Sequence, residues 1–324
     1  MFDPKTVKVT HQWKHDAPLM WCRFDPNGEY VFATSEDQSI QRWRLSDEHK
    51  TPLAAHESWV RDLAFSPDGA TMVSAGCDDK LIWWPVGDEK PQPIRQVKAH
   101  VGWIRAVAVS PNGEWVASGG NDRIVKLWSL ATGELVRELT GHAREIYSLA
   151  FDPSGKYLLS GDLVGDVRQW EVATGKLERS FEAKALHSYN GGQQVDYGGV
   201  RSMAFSPNGQ HLACGGLHNA SNPLGAVNDP LVLRFQWSDG KLLTSHVAAG
   251  VKGAIWRCCF APDGMLIGCS GGSGGGFLIY WGEADKEVHK LKLPDTARGM
   301  DLHPDGKRQA AALHRGVLCI CQPQ

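Results

Sequence analysis

One signal recurs seven times along the 324 residues and limits what the chain can fold into: a proline, then Asn, Asp or Ser, then a glycine. The prolines are Pro26, Pro67, Pro111, Pro153, Pro207, Pro262 and Pro304, spaced by 41, 44, 42, 54, 55 and 42 residues, so the unit is near 42. A period of that length is the mark of a repeat architecture. Before each proline runs a short alternating segment, such as Val60-Arg61-Asp62-Leu63-Ala64-Phe65, with the period-2 pattern of a half-buried strand. The Pro-x-Gly is then a hairpin turn. Proline presets φ at the first turn position, Asn or Asp bonds its own backbone, and glycine takes the left-handed position that follows.

Other residues keep step with the turn. Seventeen residues after the proline stand Trp43, Trp84, Trp128 and Trp170, and eleven before it stand His15, His56, His100 and His142. Ten before the tryptophan come Ser74, Ser118 and Ser160, with Ala33 in the first repeat; six before it come Asp37, Asp78 and Asp122, with Val164 in the fourth. In repeats five to seven the His and Asp slots are empty, and Cys214, Cys269 and Ala311 replace the serine. Gly141-His142, the turn Ala64-Phe65-Ser66-Pro67-Asp68-Gly69, and Gly120-Asn121-Asp122 leading to Lys126-Leu127-Trp128 make the chain resemble the WD40 repeat family. The resemblance covers the whole chain and weakens in the last three repeats. It implies an all-β fold, a seven-bladed β-propeller of four-stranded antiparallel blades.

Closure is expected at the N-terminus. Only three residues follow Cys321, so the last blade lacks a fourth strand, while Thr6 to Trp13 alternates with no blade of its own. That strand should complete blade seven and remove an open sheet edge. The chain is therefore expected to be one domain over residues 1–324, its blades centred on the seven turns.

Ser, His and Asp in one unit invite a hydrolase reading, because His can take the serine proton while Asp orients the imidazole. Repetition argues against it: the same set recurs at identical spacings, whereas an enzyme needs one nucleophile beside one oxyanion hole. A buried hydrogen-bond network tying the strands of a blade together explains it better, and in the WD40 family this set plays that part. Gly271 to Gly276 lacks the Gly-Lys-Ser/Thr ending of a phosphate loop and leads into the strand Phe277 to Trp281, so it reads as a strand-to-strand loop. The 13 His show no metal-ligand spacing. No metal, cofactor or catalytic residue is expected.

Composition narrows the setting. With 34 Lys+Arg against 36 Asp+Glu the net charge is −2, so no broad field exists to hold a phosphate backbone or anionic lipid. No apolar run approaches the ~20 residues of a membrane span, and the start lacks a signal-peptide pattern. The eight cysteines include no Cys-x-x-Cys pair and read as small buried apolar residues. Together these point to a cytoplasmic protein, monomeric by itself.

The chain also departs from its own repeat. Twelve extra residues fall between blades four and five, roughly 182–198, and thirteen between the second and third strands of blade five, roughly 217–229. Blade six has two extra in its glycine loop. In a meander these loops share one end of the ring, and long loops on a rigid scaffold are where binding usually sits, although neutral loop growth would leave the same trace. Six residues before each proline stand Met20, Arg61, Arg105, Tyr147, Arg201, Trp256 and Arg298, with Trp59 and Trp103 two residues earlier in blades two and three. Arg and Trp are frequent interface hot spots; a solvated rim, or pairing with Asp62 and Glu145, is the competing reading. The expected function is a non-enzymatic scaffold presenting this face to a protein or peptide, acidic or aromatic-containing, since Arg forks onto carboxylates and stacks on rings. The rivals are a propeller enzyme with a channel site and nucleic-acid binding through the Arg ring.

Overall fold

The structure, a computed structural model, describes residues 2–222 and 227–324. They form seven four-stranded antiparallel sheets arranged as a propeller, plus one two-stranded hairpin, and the only helical turns among them are Pro4–Thr6 and Lys184–Leu186. Each Pro-x-Gly is the turn between a blade's first and second strands. Gly28, Gly69, Gly113, Gly155, Gly209, Gly264 and Gly306 have φ between 67° and 88°, the left-handed region, and each N–H donates to the carbonyl of the residue before the proline. A side chain with a Cβ is strained there, which is why this one glycine recurs in every unit.

Blade seven closes as expected, with a one-residue shift in bounds. Its sheet combines Ala297–Leu302, Gln309–Leu313 and Val317–Pro323 with the N-terminal strand Val7–Lys14, from Val7 opposite Pro323 to Lys14 opposite Val317. Apolar rows pack between neighbouring blades. Trp84, for instance, lies with Tyr30, Phe32, Ile40 and Leu63 between blades one and two.

Polar ties reinforce the stacking. Near the axis the Asp62 carboxylate accepts the Val107 N–H at 3.1 Å, Ser148 Oγ donates to the Val200 carbonyl at 2.7 Å, Ser202 Oγ accepts the Cys258 N–H at 3.0 Å, and Asp301 accepts the Phe24 N–H at 3.0 Å. At the periphery arginines clasp the next blade just past its tryptophan position. Arg42 donates to the Val86 carbonyl at 2.6 Å, Arg137 to Val172 at 2.5 Å, Arg234 to Glu283 at 3.3 Å, and Arg179 to Trp237. These bonds reach across the interface and tie neighbouring blades together.

The cysteines are free, and all but Cys259 are buried. Burial pushes the Cys258 thiol up to about 11, which keeps it protonated and unreactive.

His246, on the outer strand Leu242–Val247, is fully buried and bonds the Ala284 carbonyl through Nδ1 at 2.8 Å. Burial, with Arg234 adding repulsion, lowers its pKa to about 4 from an ordinary 6.5. Between those values the unfolded chain takes up a proton that the folded chain refuses, so stability declines as pH falls from 6.5 toward 4, by about 2–3 kcal/mol. Urea unfolding at stepped pH should record that loss. His246→Asn keeps an N–H toward Ala284 and should flatten the profile in this window; a parallel profile would exclude His246 as its source.

Candidate functional site

The repeated polar set assembles within single blades. His56 Nδ1 lies 3.0 Å from both Asp78 oxygens and its Nε2 2.7 Å from Ser74 Oγ, which accepts the Trp84 indole N–H at 2.9 Å. His100, Ser118, Asp122 and Trp128 repeat this with distances of 2.7–3.0 Å. Burial alone would push the Asp78 and Asp122 carboxyls up, but hydrogen bonds from His56 and His100 and from backbone N–H groups hold both below the usual value. Ser74, Ser118 and Ser160 are fully buried, each with its Oγ already taken up by an indole, so no substrate carbonyl can approach them. The arrangement has the contacts of a catalytic triad without its access.

Blade four carries a substitution that the spacing did not reveal. His142 bonds Ser160 Oγ at 2.6 Å and the Trp170 N–H reaches the same oxygen at 2.8 Å, but the carboxylate is Asp162, two residues before the vacant slot at Val164, with Nδ1 to oxygen 3.0 Å. The second oxygen of Asp162 accepts the Val164 and Asp166 N–H groups at 3.0 and 2.9 Å. His142, Asp162 and Asp166 offer ligand atoms within 4.8 Å of one another, but Asp166 already accepts from Arg168 at 2.7 Å and Asp162 is committed to the backbone. Blade one keeps only His15 Nε2 to Asp37 at 2.8 Å, and Trp43 stacks on Trp13 with centroids 6.3 Å apart.

The second residue row lies elsewhere and is brought together by backbone irregularity. In six blades the pairing of the first strand with the second skips one residue: between Leu19 and Trp21, Val60 and Asp62, Ile104 and Ala106, Ile146 and Ser148, Ile255 and Arg257, and Ala297 and Gly299. The skipped residues are Met20, Arg61, Arg105, Tyr147, Trp256 and Arg298. In blade five, Arg201 stands immediately before the strand Ser202–Phe205. A β-bulge leaves its extra residue unpaired and re-aims the side chain. Six of the seven are placed by such a bulge and Arg201 by the chain just before its strand, and all seven line one cavity of about 270 Å³ on the propeller axis.

The cavity opens at the end that carries the blade-to-blade and second-to-third-strand loops, because its walls bond to those loops. Arg105 Nε donates to Asn121 at 2.7 Å, the Trp256 N–H to the Gly271 carbonyl at 3.1 Å, and Arg298 pairs with Glu36 at 2.7 Å. Guanidiniums stack on rings: Arg105 and Arg201 lie 4.4 and 4.0 Å from the Tyr147 centroid, and Arg201 also 5.6 Å from Trp256. Trp59 and Trp103, two residues before Arg61 and Arg105, are 40% and 42% exposed, and Arg105 lies 5.4 Å from the Trp103 centroid. Of the competing partners, Asp62 lies 3.8 Å from Arg23 rather than on the row, and neither it nor Glu145 forms an ion pair with Arg61, Arg105 or Arg201 among the described residues. Deeper in the channel, Arg23 and Arg257 each lie 3.9 Å from Asp301.

Both long insertions stand at this same end. Residues 182–198 contain the hairpin His187–Asn190 with Val195–Gly198, tied to blade four by Arg144 and Asp196 at 3.3 Å and inward through buried Leu186. The 217–229 insertion lengthens two strands, His211–Asn222 and Val227–Gln236, rather than forming a loose loop; its residues 223–226 lie outside the described residues. Lys252, from the next inter-blade loop, pairs with Asp229 at 2.5 Å. The glycine loop of blade six is a turn between Leu266–Gly272 and Gly275–Trp281.

The model of the family described as WD domain, G-beta repeat, matches residues 7–44, 48–84, 91–129, 133–171 and 184–219, together more than half of the chain. Among curated proteins, Protein hir-1 of Neurospora crassa is 27% identical over 104 residues, covering 25% of this chain and 10% of that protein. Transducin beta-like protein 3 of Rattus norvegicus is 43% identical over 61 residues (18% of this chain, 8% of that protein), and the Lissencephaly-1 homolog of Caenorhabditis briggsae 42% over 60 (17% and 15%). Each match therefore spans a small fraction of the relative's length. No helix among the described residues is long and apolar enough to cross a membrane.

Proposed function

The chain belongs to the WD40 repeat family, and from that premise we propose that it is a non-enzymatic scaffold whose loop-bearing face docks a segment of another protein. The observation that carries this reading is the convergence of the row on one axial cavity, with exposed Trp59 and Trp103 two residues before Arg61 and Arg105. Nothing in the fold requires arginine at that register, since Met20 and Tyr147 occupy it in blades one and four. An acidic or aromatic-containing segment suits the site, because guanidiniums accept carboxylates at their edges and rings on their faces. The similarity to the three named relatives supports a family-level scaffold role only. Free, protonated cysteines fit the cytoplasmic setting that forms part of this proposal.

The test compares surfaces. Protein is immobilised and used to capture partners from its native host, as the parent, as Trp59→Ala/Trp103→Ala, and as Leu135→Ser/Leu177→Ser on the outer strands of blades three and four. The tryptophan variant should bind its partners at least tenfold more weakly, about 1.4 kcal/mol, while the outer-strand variant binds normally. The opposite pattern would move the contact to the blade edges.

A further inference from the structure

The channel mouth carries more positive charge than its own carboxylates balance. Arg61, Arg105 and Arg201 come from blades two, three and five and line one cavity. Asp62 in that lining is already engaged, accepting the Leu63 and Val107 N–H groups at 2.9 and 3.1 Å and facing Arg23, while Glu36 is taken by Arg298. None of the three arginines has a carboxylate oxygen within 4.0 Å among the described residues, and Arg201 Nε is buried without a hydrogen-bond partner.

Their neighbours fix which part of each guanidinium is free. Tyr147 takes a face of both Arg105 and Arg201; Arg105 gives its Nε to Asn121 at 2.7 Å, so its two terminal nitrogens and the unpartnered Nε of Arg201 remain for a ligand. A carboxylate presents two oxygens and one charge, and one arginine satisfies it. Three forks and three charges match a tetrahedral dianion with three terminal oxygens. Resting on the docking role above, we propose that the channel mouth is a phosphate-monoester site, in which Arg61, Arg105 and Arg201 hold the phosphate of a phosphorylated side chain on the docked segment. The crowding of positive charge is visible in the arginines themselves. Burial, with repulsion from neighbouring arginines, lowers Arg61 below its usual range and brings Arg201 to about 10.

The experiment uses the full chain dialysed free of phosphate. Inorganic phosphate, O-phosphoserine and acetate are titrated at constant ionic strength, followed by melting temperature and tryptophan fluorescence. Phosphate and phosphoserine should raise the melting temperature saturably and acetate should not. Half-saturation should move at least tenfold in Arg201→Gln and in Arg61→Gln. Arg61 makes no hydrogen bond that the fold depends on, so without phosphate and at low salt Arg61→Gln should melt no lower than the parent, because it removes a repelling charge. That result keeps the test valid even if Arg201→Gln fails to fold. Equal, non-saturating responses to phosphate and acetate, or an unchanged half-saturation in Arg61→Gln, would overturn the site. Partners that remain bound after phosphatase treatment, and that phosphate does not displace, would sink the phosphate assignment while leaving the docking face intact. Loss of dependence on Trp59 and Trp103 would instead remove the docking face alone.

Discussion

A chain lacking residues 1–13 aggregates, or melts well below the full-length protein. Those residues supply nearly all of the strand Val7–Lys14, whose partner Val317–Pro323 is the last strand of blade seven. Val7 is buried with Cys321, Cys319 and Leu293, and Trp13 is buried against Trp43 of blade one, so the strand joins the two sides of the ring's only seam. Burying two such side chains stabilises by about 1.5–3 kcal/mol each, a large share of the ~5–15 kcal/mol that holds a typical fold. The loss does not end there. Deletion also bares the backbone of Val317–Pro323 as a free edge, which templates pairing with other chains. Size-exclusion chromatography and calorimetry on the truncated chain read both effects; an unchanged melting temperature with a monomeric elution would mean that the ring does not depend on this closure.

Asp162→Ala destabilises by about 3–5 kcal/mol, because it strips the acceptor from three buried or half-buried donors at once. Those donors are His142 Nδ1 and the N–H groups of Val164 and Asp166. Val164→Ala, at the position where the repeat spacing puts the carboxylate, should cost under about 1 kcal/mol, since Val164 is only half-buried and its side chain belongs to no polar network. Denaturant unfolding of the two variants separates them, and equal losses would refute the assignment of Asp162 to the network. Partner binding by whatever fraction remains folded should be unaffected, because this network lies inside the blade and not at the channel mouth.

The difference between Asp162 and Val164 marks where sequence reading stops. A strict period locates residues whose backbone position is fixed by a turn, so the seven Pro-x-Gly turns, the tryptophans, and the His and Ser slots of blades two to four were legible along the chain. Blade four solves the same hydrogen-bonding problem from a different backbone position, and a carboxylate two residues out of register carries no periodic signal. The arginine row was visible as a chemical oddity at one register. Its convergence on a single cavity was not, because that depends on one bulge in each of six first strands and on ring closure between residues such as Arg298 and Glu36, 262 positions apart. The layer of Arg23, Asp62, Arg257 and Asp301 keeps register, Arg23 and Asp301 three residues before their prolines and Asp62 and Arg257 five before theirs, but each register mixes opposite charges, and which of them meet depends on which blades become neighbours in the closed ring. Local turn chemistry and strand alternation are short-range properties that the amino-acid order determines directly. Which charges face one another, and which are left without a partner, was decided only when seven blades closed on a common axis and took those side chains out of water.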